Sequence, residues 1–144
     1  MAVLPEIPLT RDERLAFLRV VAGMIGADHK LTKKERKEMD GLILQMGLSP
    51  GEEDVRAVID GEFKKPTPLE KLLEPIRDRN MRRTLYRVLV EVAVSDGLAA
   101  KEEQRLVKTA ELFQLDAKAA KDVIGWTVES LAMEEREAVI MKRL

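Results

Sequence analysis

Two apolar, helix-like runs, Leu15 to Ala27 and Leu85 to Val94, each lead straight into an acidic segment of the same layout. The first reads Asp28-His29-Lys30-Leu31-Thr32-Lys33-Lys34-Glu35, the second Asp96-Gly97-Leu98-Ala99-Ala100-Lys101-Glu102-Glu103. The register holds without a gap from Arg19/Arg87 and Val20/Val88 through Asp28/Asp96 to Glu35/Glu103, the pattern of an internal duplication. Both runs are apolar nearly all round, which marks buried helices. Half a chain would leave one side of its central helix uncovered, so the spacing predicts one domain over 1–144, with pseudo-repeats at about 11–63 and 68–131 facing each other.

Helix start signals recur along the chain. Thr10–Glu13, Thr32–Glu35, Ser49–Glu52 and Thr67–Glu70 each match the capping box, in which a hydroxyl and a carboxylate satisfy free amides reciprocally. Pro50 and Pro68 suit a first helical position, and Asn80 and Asp116 suit caps. Gly47, Gly61 and Gly97 suit the left-handed residue that closes a helix. Helices are expected near 11–27, 32–46, 50–60, 68–78, 81–95, 100–113, 117–131 and 133–143, with Pro75 ending or kinking the fourth near Glu74. No strand pattern competes, so the fold class is all-α, with seven to eight helices in an internal pseudo-twofold duplication.

A chain of 144 residues is long enough to bury a core without staples. It has no cysteine, which excludes disulfides, thiolate metal sites and cysteine nucleophiles. The first ten residues lack the layout of a signal peptide, and the most apolar run is too short for a membrane span and contains Arg19, so a cytoplasmic, soluble protein is expected. Basic residues (25) and acidic residues (26) nearly balance, which disfavours general nucleic-acid binding. Basic clusters at Lys30–Lys37 and at Arg77, Arg79, Arg82 and Arg83 read as solvated helix faces.

The acids of the repeat carry the one chemical signal. Asp28 and Asp96 each follow a central helix, where a carboxylate meets the negative end of the helix dipole and needs compensation. One reading is local: the aspartate accepts hydrogen bonds from free amides of its turn. The other is a cation, since Glu35 follows Asp28 and Glu103 follows Asp96 at the same seven-residue distance, and oxygen-rich sites suit Ca2+ or Mg2+. The capping box accounts for Glu35, but Ala100 replaces the hydroxyl in the second half and leaves Glu103 without that explanation. The loop is not an EF-hand, because Met39 and Val107 stand where its bidentate glutamate belongs. Arg19 and Arg87, within apolar helices, need partners: a cross-helix acid for Arg19 and Glu91 for Arg87. His29 reads as a turn residue, Trp126 and Tyr86 as core, and the methionines mostly as core filler.

The machinery of an enzyme is missing. A sole histidine in a turn, no strand-to-helix serine, no phosphate loop and no dinucleotide fingerprint leave nothing to assemble a nucleophile or a cofactor site.

At the two acidic turns, the apolar helix, small residue, Asp, then Glu at fixed distance resembles the TerB (tellurite resistance) family and the related N-terminal domain of DjlA-type co-chaperones, over roughly Leu15 to Ile124. The resemblance implies a compact, duplicated helical domain associated with stress-response or envelope-linked complexes. It also implies divalent cation at the acidic positions, here Asp28 and Glu35 in one half and Asp96, Gly97 and Glu103 in the other. His29 stands where the family has glycine, and Ala99 and Ala100 replace its aliphatic and hydroxyl residues. The reading that follows is a non-enzymatic module that binds a partner protein, with Ca2+ or Mg2+ at Asp28, Glu35, Asp96 and Glu103. A cation-independent scaffold is its nearer rival and a metal-dependent enzyme its more distant one.

Overall fold

The computed structural model describes residues 9–26, 32–95, 97–98 and 100–144. Seven helices follow in order: α1 (Arg11–Gly26), α2 (Lys33–Gln45), α3 (Glu53–Lys64), α4 (Leu69–Leu73), α5 (Arg79–Ser95), α6 (Ala100–Leu112) and α7 (Ala117–Arg143), and no strand occurs among the described residues. The fold is all-α. α1 packs most extensively on α3, and α5 on α7, so the central apolar helix of each half rests on a later helix of the same half. Contacts of α1 with α4 and with α5 join the halves.

The two central helices supply the core as their apolar patterning requires. Leu18, Val20, Val21 and Ala22 of α1 and Leu85, Leu89 and Val90 of α5 are fully shielded, and one apolar cluster continues from them through Ile43, Val55, Ile76 and Leu106 to Ile124. Arg19 finds its acid across helices: its Nε lies 3.5 Å from Oε1 of Glu62 on α3. The guanidinium of Arg87 stands 5.7 Å from the centre of the Trp126 ring. That ring is 57% exposed, so Trp126 is not a core residue. Its flat face serves a surface cation instead, a pairing that favours indole over other rings.

Several caps hold and several move. Thr10 with Glu13 and Thr32 with Glu35 form complete boxes, and Asp116 Oδ2 accepts the Ala119 amide at 2.8 Å. α3 starts at Glu53 and not at Pro50, because Ser49 to Gly51 make a turn in which Glu52 Oε1 accepts the Ser49 amide at 2.7 Å. Thr67 does not cap α4; its hydroxyl and its amide both donate to Glu62. α5 begins at Arg79, two residues before the start that Asn80 allows as a cap, with Asp78 Oδ2 accepting the Met81 amide at 3.0 Å. Gly61 lies inside α3, which continues to Lys64, whereas Gly47 and Gly97 have the expected positive φ, 74° and 85°. α4 ends at Leu73, two residues before Pro75. The break expected near residue 132 is absent: α7 runs for 27 residues, since Ala132-Met133-Glu134-Glu135 are all strong helix formers with no glycine or proline to stop them.

Ion pairs fasten helix ends. Arg11 reaches Glu52 and Asp54 at the start of α3 and holds both carboxyls below their usual range, and Lys108 on α6 does the same for Glu70 on α4. These side chains are solvent-exposed, where such pairs contribute little and weaken with salt.

Tyr86 is the buried polar group of α5, its hydroxyl donating to the Ala120 carbonyl at 3.1 Å and so tying α5 to α7. Burial pushes its phenol up from 10.0 to about 12. Between those values the unfolded chain releases a proton that the folded one keeps, so stability is full below pH 10 and falls as pH rises toward 12. The loss amounts to about 3 kcal/mol. Denaturant unfolding at a series of alkaline pH values is expected to show this decline, and Tyr86→Phe to flatten it.

Candidate functional site

The first acidic segment leads into α2, whose opening is fixed by its capping box. The Thr32 hydroxyl accepts the Glu35 amide, and Glu35 Oε1 accepts the Thr32 amide, both at 3.1 Å. This bond turns the Glu35 carboxylate back toward the incoming chain and leaves the residue only 6% exposed. A carboxylate at this place also faces the positive end of its helix.

The second acidic segment leaves from the end of α5, and that end lies against the start of α2. Lys34 Nζ donates to the Ser95 carbonyl at 2.8 Å, which places a cation at the negative end of α5. The Ser95 hydroxyl donates to Glu38 Oε2 at 2.8 Å and also to the Val92 carbonyl at 2.8 Å. Ser95 ends α5 directly before the second acidic segment, so the end of α5 and the first turns of α2, far apart in the chain, lie together. The turn after it is left-handed at Gly97, whose amide donates to the Val94 carbonyl at 3.0 Å.

Of the four predicted site residues, Glu35 is buried on the first turn of α2 and Glu103 is exposed on the first turn of α6. Asp28 and Asp96 lie outside the described residues, as do His29 and Ala99. Among the described residues no group of three or more His, Cys, Asp or Glu side chains is placed to hold a metal ion. Lys34, Glu38 and Ser95 were missed by sequence reasoning. Their bonds link residues 57 or 61 positions apart, and no local pattern encodes such a contact.

Among the described residues, the first turns of α2, which carry Lys34, Glu35 and Glu38, meet the end of α5 through side-chain hydrogen bonds.

No curated protein and no solved structure gives a significant match to the chain. One family does match: residues 14–123 fit the model described as tellurite resistance protein TerB. That span runs from the first turn of α1 into α7, includes both acidic segments and takes in well over half of the sequence. A match over that much of the sequence shows the family, and the chain belongs to the TerB family.

Proposed function

We propose that the protein is a non-catalytic helical module of the stress response, which binds a partner protein through the end of the molecule where the two acidic segments converge. A divalent cation held there by Asp28, Glu35, Asp96 and Glu103 organises that surface. The observation that carries this reading is the attachment of α2 to α5 through Ser95, which brings the second acidic segment beside the first. Family membership supports a tellurite-resistance-like helical module. Glu35 Oε1 already accepts the Thr32 amide, so a cation site draws on both aspartates as well as on backbone carbonyls.

Calorimetric titration of Ca2+ and of Mg2+ into metal-free protein tests the proposal, with the Asp28→Asn, Asp96→Asn double variant beside it. Saturable binding with a Kd between about 10 μM and 1 mM is expected, lost in the double variant. Absence of saturable binding at millimolar ion overturns the cation part, and partner binding then falls to a cation-independent scaffold.

A further inference from the structure

At the other end of α5, roughly 25 Å from Ser95 along a 17-residue helix, lies a cleft of about 480 Å³ between the start of α5, the turn from α6 to α7 and the first turns of α7. Arg77, Arg79, Arg82 and Arg83 line it, and Asp116 is the sole acid in its wall. Asp116 is engaged in capping α7. Arg82 is fixed: its Nε donates to the Ile76 carbonyl at 2.7 Å, its Nη1 to the Phe113 carbonyl at 3.4 Å, and its guanidinium stands 5.4 Å from the centre of the Phe113 ring. Arg77, Arg79 and Arg83 are exposed, and no acid among the described residues pairs with them.

Four guanidiniums around one concavity repel one another unless an anion enters. Arginine forks match phosphate oxygens in bidentate geometry, and three unpaired forks exceed what one carboxylate can accept. The inner wall is apolar, formed by Tyr86, Phe113 and Val123, and the volume is that of small-molecule sites. A ligand that satisfies both surfaces has a dianionic head and a compact apolar body.

Gln114 provides an independent sign. It closes α6 with the Leu115 amide on the Ala110 carbonyl and its own amide on Glu111, the same closure that α2 makes at Gly47. Gln114 has φ 58°, where glycine is the unstrained choice, and it lines the cleft. A side chain kept at a strained position on a cleft wall points to a role in the cleft.

We infer that the cleft binds a small organic phosphate, with Arg77, Arg79 and Arg83 on the phosphate and the Gln114 amide as a further donor. The site does not depend on the acidic end of the molecule. It also differs from a nucleic-acid interface, since it is an open cleft with one cationic focus and not an extended basic track.

Amide chemical shifts of the intact chain, followed during titration with phenyl phosphate, inorganic phosphate and benzoate at constant ionic strength, test the inference. Phenyl phosphate is expected to saturate the resonances of the cleft and to bind more tightly than either other probe. Arg79→Gln with Arg83→Gln weakens it by about tenfold or more. The same variant melts at an equal or higher temperature than the parent without ligand, because repulsion is relieved. Gln114→Gly raises the melting temperature and weakens phenyl phosphate, a combination that a purely structural glutamine does not give. No saturation by about 10 mM phenyl phosphate, or unchanged affinity in the arginine variant, overturns the inference. Benzoate binding as tightly as phenyl phosphate overturns the assignment to phosphate.

Discussion

Glu62→Ala is expected to lower the unfolding free energy by about 3 kcal/mol, through loss of charge-assisted hydrogen bonds in a shielded place. For a chain of this length that is a fall of roughly 10 °C in melting temperature. Glu62 is 4% exposed although charged, and three groups converge on it. The Thr67 hydroxyl donates to Oε1 at 2.6 Å, the Thr67 amide donates to Oε2 at 3.1 Å, and Arg19 Nε lies 3.5 Å from Oε1. One carboxylate thus closes the turn between α3 and α4 and ties it to α1. Alanine leaves the Thr67 amide without an acceptor and a gap beside Gly23, whose missing Cβ would lie 3.5 Å from Glu62 Oε2. Glu62→Gln keeps the shape and one acceptor, and about 1 kcal/mol is the expected loss. Arg19 is half-exposed, so Arg19→Met strands no buried cation and costs less than Glu62→Ala. Urea unfolding of the three variants checks the order. Equal losses in Glu62→Ala and Glu62→Gln would show that the negative charge, and not the closure of the turn, carries the effect.

The same residue shows where sequence reading succeeds and where it stops. A cross-helix acid for Arg19 follows from its setting in an apolar helix, but which acid answers it does not. Glu62 sits on the far side of a turn, and Thr67, its principal partner, matches a capping box that does not form. Capping boxes are legible when hydroxyl and carboxylate have no better partner, as at Thr10 and Thr32. They fail where a tertiary acceptor competes. The ends of α1, α2 and α6 and the C-terminal end of α5 were legible because apolar periodicity and punctuation agree there. Trp126 was misread because its apolar area suggested burial, while Arg87 offered its face a cation at the surface.

For the acidic site, the duplication itself was visible in the chain. That its two copies belong to one end of the fold was not, because the link runs through Lys34, Glu38 and Ser95, which carry no motif. The basic cluster at 77–83 was legible as charge only. Its concavity depends on Phe113 and Val123 arriving from the turn after α6 and from α7, and helical periodicity within α5 does not encode them.

Leu18→Ala, on the buried side of α1, is expected to cost about 3 kcal/mol, the transfer of its side chain plus the cavity left in a core that relaxes only partly. Leu18 is fully shielded, and its cluster continues without interruption into α5, α6 and α7. The distinctive expectation concerns the other half of the chain. If one core serves both pseudo-repeats, the second cannot stay folded once the first opens, because α4 and α5 then expose the sides they present to α1. The slowest-exchanging amides of α5 and α7 should therefore lose protection by about the same free energy as those of α1 and α3, and Leu89→Ala on α5 should act in reverse on α1. Native-state hydrogen exchange on both variants measures this directly. Protection lost in the mutated half alone would mean that the duplication produced two separable units, each stable with one face of its central helix open. Equal loss in both halves means that the faces of α1 and α5 are each other's cover, and that neither half of the duplicated sequence folds without the other.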